Sequence, residues 1–277
     1  MAKPIMIQGT ASSVGKTILT MALCRIFKQD GYRVTPFKSQ NMTSNTAILK
    51  TGEEMAVSQV LQAQAAGVEP DITMNPILLK YSNEKRGIQL ILNGKLRETI
   101  NAYNFKKIKQ SLVPEIKQAY ETLSSRYDII VIEGAGSPVE LNLNKDDIVN
   151  MGIARLISAP VLLVANIDRG GIFASLYGTV ALLEEWERPY IKATVVNRFK
   201  GDTSNFKDGI AILEEITGVP VAGIVPHINF SLPEEDGPGG AAYAPDDSLE
   251  EQFDLIAGHI RKSLNMDLIY KILETGV

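Results

Sequence analysis

The sequence is poor in the residues that build disulfides and metal clusters. It contains one cysteine, Cys24, and two histidines among 277 residues. One cysteine excludes an internal disulfide and a cysteine-rich zinc site, and these three residues do not suggest a cysteine–histidine nucleophile. The scarcity of cysteine agrees with a reducing compartment, so we expect a cytoplasmic protein.

The sequence also lacks an excess of one charge and a long apolar run. It carries 28 basic and 32 acidic residues, a net charge of -4, which gives no basic field to attract nucleic-acid phosphates. No apolar stretch approaches the roughly 20 residues of a membrane span, and the first residues lack a secretory pattern. We therefore expect neither nucleic acid nor a membrane as a partner.

The sequence does contain apolar runs of strand length that alternate with longer helical patterns. Several runs are continuously apolar, as strands covered on both faces must be. The alternation predicts an α/β fold, a mostly parallel sheet flanked by helices on both faces. The predicted strands are 4–9, 33–38, 88–92, 128–134, 160–168, 191–197 and 220–226. The predicted helices are about 17–29, 54–66, 104–125, 147–157, 173–187, 208–217 and 249–275, the last one broken near Asn265.

The stretch GTASSVGKT, residues 9–17, follows an apolar strand and opens a helix. In this context a glycine-rich loop holds phosphates with its backbone N–H groups. Lys16 then supplies charge toward the β and γ phosphates, and the Thr17 hydroxyl is available to Mg²⁺. The strict P-loop pattern begins one residue later than Gly9. We predict that ATP binds here through Gly9, Thr10, Ser12, Ser13, Val14, Gly15, Lys16 and Thr17.

Other polar residues follow predicted strands, where functional groups of parallel sheets gather. Glu133 ends the strand 128–134 before a glycine-rich turn, and we predict that it contacts Mg²⁺. Lys38 ends the second predicted strand, and we predict that it stabilises charge on a moving phosphoryl group. A polar run comes next, and it suits an oxygen-rich ligand: Gln40, Asn41, Thr43, Ser44 and Asn45.

Three more strand ends carry candidate residues. The amide of Asn197 either pairs with a purine edge or forms a turn, and the sequence leaves both open. Arg169 either clamps a carboxylate or phosphate, or is an exposed neighbour of a helix-capping Asp168. Pro226 ends the last predicted strand, and we expect it beside the nucleotide.

Segments spread over residues 5 to 236 resemble the synthetase domain of the cobyric acid synthases, glutamine-dependent amide ligases of the cobalamin pathway. The longer loop at Gly9 also resembles that of the dethiobiotin synthetase branch of P-loop proteins. So many segments in one order are far more specific than a single P-loop. The segments are GTASSVGKT, PFKSQNM, GEEMAVSQVLQAQAAGVEP, MNPILLK, EGAGSPVELNL, DIVNMGIAR, NIDRGGIFASLYGT, NRFKGD and LPEED.

The resemblance implies an enzyme that uses ATP and Mg²⁺ to phosphorylate the b, d, e and g carboxylates of adenosylcobyrinic acid a,c-diamide. Ammonia then displaces the phosphate. The resemblance implies catalytic roles for Lys16, Lys38 and Glu133, and Mg²⁺ ligands in Thr17, Glu54 and Glu133. It also implies a homodimer paired at a sheet edge. The implied substrate contacts are Gln40, Asn41, Asn45, Gln59, Ser137, Asp168 and Arg169.

The sequence departs from full-length members of that family after residue 236. Those proteins continue into a glutaminase domain, whereas this sequence runs to Val277 with an acidic loop and a helical pattern. The final segment resembles the end of the ligase domain of cobyrinic acid a,c-diamide synthases. We expect a ligase domain at 1–236 and its C-terminal extension at 237–277. Glutaminase activity is not expected, and ammonia would come from a missing domain or a separate glutaminase.

Two other functions are compatible with a phosphate loop of this kind. Another carboxylate-activating enzyme, such as a dethiobiotin synthetase, would need less of the polar surface at 38–45 for its smaller substrate. A partition-type ATPase switch typically has a KGGVGKT loop with a second lysine. Ala11, Ser12 and Ser13 occupy the corresponding region here, which disfavours the switch.

Overall fold

The computed structural model describes residues 1–82, 87–142, 146–232, 241–242 and 249–277. Its strands are β1 (Lys3–Gly9), β2 (Val34–Phe37), β3 (Gln40–Met42), β4 (Thr46–Ile48), β5 (Glu54–Ala56), β6 (Ile77–Ser82), β7 (Gly87–Leu92), β8 (Lys95–Ile100), β9 (Ile129–Glu133), β10 (Val161–Asn166), β11 (Ile191–Phe199), β12 (Val221–Pro226) and β13 (Ala241–Ala242). Its α-helices are α1 (Lys16–Gln29), α2 (Val57–Ala66), α3 (Ala102–Ile108), α4 (Val113–Ser124), α5 (Met151–Ile157), α6 (Ile172–Leu182), α7 (Lys207–Thr217), α8 (Glu250–Ser263) and α9 (Met266–Thr275).

A six-stranded sheet in the order β12-β11-β10-β1-β9-β2 forms the centre of the fold. Every neighbouring pair in it is parallel. The carboxyl ends of these strands therefore lie at one edge, where parallel α/β sheets bind their ligands. The predicted fold class, a mostly parallel sheet between two layers of helices, is confirmed.

Both faces of the central sheet are buried, which explains its continuously apolar strands. Along β9, Ile130 and Ile132 belong to the apolar cluster that includes side chains of α4, α5 and α6. Ile129 and Val131 alternate with them and belong to the cluster of α1, α8 and α9. The side chains of a strand alternate between the faces, so one strand contributes to both cores.

A second, four-stranded sheet in the order β3-β6-β7-β8 lies beside the central one, and the sequence did not predict it. The strand expected at 88–92 exists as β7, but it pairs antiparallel with β6 and β8 in this added sheet. The strand β3 has three residues, and β8 is largely exposed and polar. Neither gives a clear hydrophobic pattern. A third sheet has the order β13-β4-β5.

Several predicted helix bounds were wrong for physical reasons. The helix expected over 54–66 begins at Val57, because Glu54–Ala56 pairs as β5. The helix expected over 104–125 is divided by a 3₁₀ turn at Lys109–Leu112. Pro114, in the first turn of α4, has no N–H to continue the preceding helix.

Two further helices are shorter than predicted. The helix expected over 147–157 begins at Met151, after a turn in which the Asp147 carboxylate accepts backbone N–H groups. The helix expected over 173–187 ends at Leu182, and the Arg188 guanidinium donates to the carbonyls of Ala181 and Leu183. These side chains satisfy backbone groups that a longer helix would have used.

The C-terminal segment packs against the central sheet. Ile256, Ile260 and Ile272 share a buried cluster with Ile5 and Ile7 of β1. The predicted break near Asn265 is confirmed, since this side chain caps the start of α9 by accepting from the Leu268 N–H. The acidic loop predicted at 232–248 lies almost wholly outside the described residues. No helix in the described ranges combines the length and apolarity needed to cross a membrane.

Candidate functional site

The loop between β1 and α1 needs glycine at both of its ends. A Cβ placed on Gly9 would collide with the Val14 side chain and lie 3.1 Å from Lys16 Nζ. Gly15 has a φ of 104°, and a Cβ there would overlap the Asn197 amide. Glycine at these two positions lets the loop close around the lysine. The early glycine of the sequence pattern is therefore a packing requirement of this longer loop.

Asn197 holds the loop from strand β11, which is separated from β1 by β10. Its Nδ2 donates to the Val14 carbonyl at 2.7 Å, and its Oδ1 accepts from the Arg198 N–H at 2.8 Å. Arg198 has a left-handed backbone, with φ 60°, which a residue other than glycine rarely adopts. Asn197 thus positions the phosphate loop, and its predicted contact with a purine stays a prediction.

The register of the central sheet brings Lys38 beside Glu133. Phe37 of β2 pairs with Ile132 of β9, so the next residue of each strand lies at the same edge. Lys38 Nζ contacts Glu133 Oε1 at 2.9 Å, and Thr17 Oγ1 donates to the same oxygen at 2.9 Å. Gln62 Nε2 donates to the other carboxylate oxygen at 2.5 Å. Glu133 is therefore the centre of a buried network formed by three elements.

Lys16 completes this network. Its Nζ donates to the carbonyls of Ala11 and Gly136 at 3.0 and 3.1 Å, which bridges the phosphate loop and the turn after β9. Burial raises the pKa of Glu133, but Lys38, Gln62 and Lys16 together outweigh burial and hold this pKa below its usual range. Two lysines thus face one carboxylate, and the net positive charge suits a polyphosphate.

The donor set at Glu133 fits Mg²⁺ in the company of phosphate oxygens. The Thr17 hydroxyl and the Glu133 carboxylate are the hard oxygen ligands that Mg²⁺ accepts, usually with substrate phosphates and water. Within the described part of the chain no cluster of three histidine, cysteine, aspartate or glutamate side chains could hold a metal.

Two pockets open at this edge of the sheet. The larger, which we name the phosphate pocket, has a volume of about 580 Å³ and is lined by residues that include Ser12, Ser13, Gly15, Lys16, Thr17, Lys38, Gln40, Asn41 and Glu133. The smaller has a volume of about 160 Å³ and includes Asn197, Pro226 and His227. Gly15 and Arg198 line both. The two pockets are therefore continuous.

A third pocket, which we name the apolar pocket, adjoins the phosphate pocket on the side of the added sheet. Its volume is about 420 Å³, and Leu79, Ile88 and Phe105 contribute apolar walls. The predicted residues Gln40 and Ser137 also line it. The structure thus brings most of the predicted site residues to these three adjoining pockets, although their individual roles stay predictions.

Two predicted residues have other surroundings. Glu54, expected to bind Mg²⁺, pairs with Lys80 at 2.6 Å and accepts from the Thr46 hydroxyl at 2.5 Å. Gln59 is fully buried, and in the described part of the molecule its side-chain amide has no hydrogen-bond partner. Neither residue lines the three pockets. The geometry gives no support to Glu54 as a metal ligand or to Gln59 as a substrate contact.

The predicted substrate residues Asn45, Asp168 and Arg169 also lie outside these pockets. Asp168 pairs with Lys200 at 2.6 Å, and this lysine holds the pKa of the aspartate below its usual range. Arg169 is exposed. Asn45 is buried, and its carbonyl accepts from the N–H of Val57 at the start of α2. Their predicted roles in substrate binding rest on the resemblance alone.

Sequence reasoning missed three residues that shape the site. Gln62 is one turn beyond Gln59 on α2, and only the folded helix shows which glutamine faces Glu133. Asn150 anchors the turn after β9 by donating to Ala135 O at 2.6 Å and accepting from Ala135 N at 3.1 Å. Arg198 lines two pockets. The sequence signal for Arg198 was its position directly after the predicted strand 191–197.

Comparison with known proteins gives this geometry a context. A cobyric acid synthase of Listeria monocytogenes serovar 1/2a is 52% identical over 248 residues, 89% of this chain and 48% of that protein. Those of Lachnoclostridium phytofermentans and Ruminiclostridium cellulolyticum are 55% and 56% identical, each over 85% of this chain and 47% and 46% of their own lengths. The chain spans about half the length of the curated relatives it matches.

The match to a protein family covers most of the chain. Residues 5–236 match the CobQ/CobB/MinD/ParA nucleotide binding domain. This range contains the phosphate loop, Lys38, Glu133 and Asn197. The chain therefore belongs to the CobQ/CobB/MinD/ParA nucleotide-binding family.

Proposed function

We propose that this chain is an ATP-dependent amide ligase that activates the peripheral b, d, e and g carboxylates of adenosylcobyrinic acid a,c-diamide. The observation that carries the proposal is the network in which Lys16, Lys38 and Thr17 surround the buried Glu133 beside a large pocket. The similarity to proteins named cobyric acid synthase supports the choice of substrate.

The first step transfers a phosphoryl group. A carboxylate oxygen of the substrate attacks the γ-phosphorus, an oxygen–phosphorus bond forms, and ADP leaves with the electron pair of the bond that breaks. Lys16 and Lys38 balance the negative charge that spreads over the phosphoryl oxygens. Thr17 and Glu133 would hold Mg²⁺, which supplies further charge neutralisation when bound.

The second step forms the amide. Ammonia attacks the acyl carbon, the carbon–oxygen bond to phosphate breaks, and phosphate departs while the nitrogen loses a proton. Phosphorylation makes this possible because phosphate is a better leaving group than oxide. The acyl phosphate must be kept from water, and the half-enclosed phosphate pocket with its buried Lys38 and Glu133 suits that need.

The proposal is tested by measuring phosphate release from the purified chain with ATP, Mg²⁺ and ammonium chloride, with and without adenosylcobyrinic acid a,c-diamide. We expect the corrinoid to stimulate release, and mass spectrometry to show successive exchanges of OH for NH₂. Lys16→Ala should abolish both signals while circular dichroism stays unchanged, because it removes charge from the transferring group. Corrinoid-independent release without a change in product mass would refute the ligase.

A further inference from the structure

The apolar pocket is joined to the phosphate pocket by shared walls. Gln40, Met42, Ala135 and Gly136 line both. The carbonyl of Gly136 accepts from Lys16 Nζ at 3.1 Å, and a Cβ added to Gly136 would meet no atom within 4 Å. The space beside the Gly136 Cα, at the wall shared by the two pockets, is therefore open.

The wall between the two pockets is held in shape by Asn150. Its Nδ2 donates to the carbonyls of Ala135 and Ser137, at 2.6 and 3.2 Å, and its Oδ1 accepts from the Ala135 N–H. The side chain is 3% exposed, so these bonds are sheltered from water. The turn is thus a preformed partition between the pockets.

The lining of the apolar pocket combines apolar and charged side chains. Leu79 and Ile88 of the added sheet and Phe105 of α3 present apolar surface, whereas Lys106 of α3 and Lys109 of the 3₁₀ turn that follows it bring two positive charges. Two acidic residues also contribute to the lining. Asp147 directs its carboxylate to the backbone N–H groups of residues 149, 150 and 152 and also interacts electrostatically with Lys109, and Glu140 is exposed. The α3 side thus combines apolar contact with positive charge.

On the basis of the proposed function, we infer that the apolar pocket binds one side of the corrinoid ring. The apolar edge of the ring packs against Ile88 and Phe105, and carboxylates that are not reacting pair with Lys106 and Lys109. The carboxylate under attack extends across Gly136 into the phosphate pocket. A volume of about 420 Å³ suits part of so large a ligand, and the remainder of the ring stays outside.

An unsatisfied acceptor at the junction fits this arrangement. In the described part of the protein, Gln40 Oε1 is buried without a hydrogen-bond partner. Buried polar atoms of this kind usually have a partner. The N–H of a newly formed side-chain amide would supply the missing donor, since Gln40 lines both pockets.

The test measures binding of adenosylcobyrinic acid a,c-diamide by equilibrium dialysis, followed through the visible absorption of the corrinoid. Ala102→Trp fills the pocket from an exposed position at the start of α3, and Lys106→Glu reverses one of its charges. Asn104→Trp and Lys107→Glu are matched controls on the same helix. Neither control residue lines the pocket, and Lys107 Nζ lies 4.3 Å from the Tyr103 ring centroid.

We expect each pocket variant to weaken corrinoid binding by at least about tenfold, with unchanged ADP binding and unchanged binding by the two controls. Equal corrinoid binding by wild type and pocket variants would overturn the inferred location while leaving the ligase proposal intact. A wild-type chain that binds ADP but no corrinoid would overturn both. A loss of corrinoid binding in the controls as well would contradict a role of this pocket.

Discussion

Two lysine–glutamate pairs with similar contact distances have different surroundings. Lys38 and Glu133 are separated by 2.9 Å, and their side chains are 8% and 2% exposed. Lys80 and Glu54 are separated by 2.6 Å and are 26% and 19% exposed. The Lys80–Glu54 pair connects strands β5 and β6 away from the pockets. The Lys38–Glu133 pair lies at the carboxyl edge of the central sheet, and Lys16 is close enough to influence the Glu133 carboxylate.

The comparison teaches that contact distance alone does not identify a functional pair. A partly exposed pair such as Lys80–Glu54 gains less free energy, because water screens both charges. A buried pair has lost its contacts with water. At Glu133, hydrogen bonds from Lys38, Thr17 and Gln62 to the carboxylate replace those contacts. Such a network is costly to disturb and is already arranged for a charged ligand.

The largest contrast is expected in turnover. Lys38→Met should lower corrinoid-dependent phosphate release by about 100- to 1000-fold, the usual cost of removing one charge-stabilising donor. Lys80→Met should leave the rate nearly unchanged, because this lysine does not line the pockets. Steady-state phosphate release measures both variants. Similar losses in the two variants would remove the distinction between the pairs.

The next contrast is in stability at neutral pH. Lys38→Met leaves Glu133 buried without its nearest positive charge, which should lower the free energy of unfolding by about 3 kcal/mol. Lys80→Met should cost about 1 kcal/mol or less, because its pair is partly exposed. Urea denaturation followed by circular dichroism gives both values. A larger loss of unfolding free energy in Lys80→Met than in Lys38→Met would show that Lys80 and Glu54 are the more strongly coupled pair.

A third contrast concerns Mg²⁺. Glu133→Gln should raise the Mg²⁺ concentration needed for half-maximal phosphate release by about tenfold, because an amide is a weaker ligand than a carboxylate. Glu54→Gln should not change it, since Glu54 is bound to Lys80. A Mg²⁺ titration at fixed ATP measures the effect. A shift confined to Glu54→Gln would restore the metal role that the resemblance implied for that residue.

The smallest expected effect concerns how the titration of Glu133 changes stability with pH, which should have opposite signs in the wild type and in Lys38→Met. The pKa of Glu133 is lowered in the folded protein, so its contribution to stability is present above the unfolded pKa of about 4.3. That contribution is lost as pH falls through the folded pKa. In Lys38→Met, burial should dominate and place the folded pKa above the unfolded one. The stability of the variant should then fall as pH rises through the folded pKa.

This pH dependence is measured by urea denaturation between about pH 4 and 7, a range that begins near the ordinary pKa of a glutamate, about 4.3. The double variant Lys38→Met and Glu133→Gln is the control, because its amide does not titrate. The difference between single and double variants isolates Glu133. A difference that stays constant with pH would show that Lys38 does not govern this carboxylate.

The carboxyl edge of the central sheet could be predicted from the sequence. The strands β1, β2 and β9 are mainly apolar, and each leads into a glycine or a charged residue that marks the edge: Gly9, Lys38 and Glu133. Parallel pairing then brings these residues together. The phosphate loop adds its own pattern, so the nucleotide half of the site follows from local signals.

The added sheet and the apolar pocket could not be predicted in the same way. The added sheet contains short strands such as Gln40–Met42 and exposed ones such as Lys95–Ile100, which give weak periodicity. The choice between Gln59 and Gln62 depends on how α2 rotates against β9. Whether Glu54 contacts Lys80 depends on how β5 of the third sheet lies against β6 of the added sheet. These contacts depend on tertiary packing, and the sequence around each residue gives no signal for them.

The central claim, that the phosphate pocket activates a carboxylate by phosphorylation, is tested most directly by isotope transfer. The corrinoid diamide is prepared with heavy oxygen in its free carboxylates, and the phosphate released with ATP, Mg²⁺ and ammonium is examined by mass spectrometry. We predict that each phosphate formed carries one heavy oxygen from the substrate, because the carbon–oxygen bond breaks when ammonia attacks. Amide formation with unlabelled phosphate would contradict the acyl phosphate and the role given to Lys16 and Lys38.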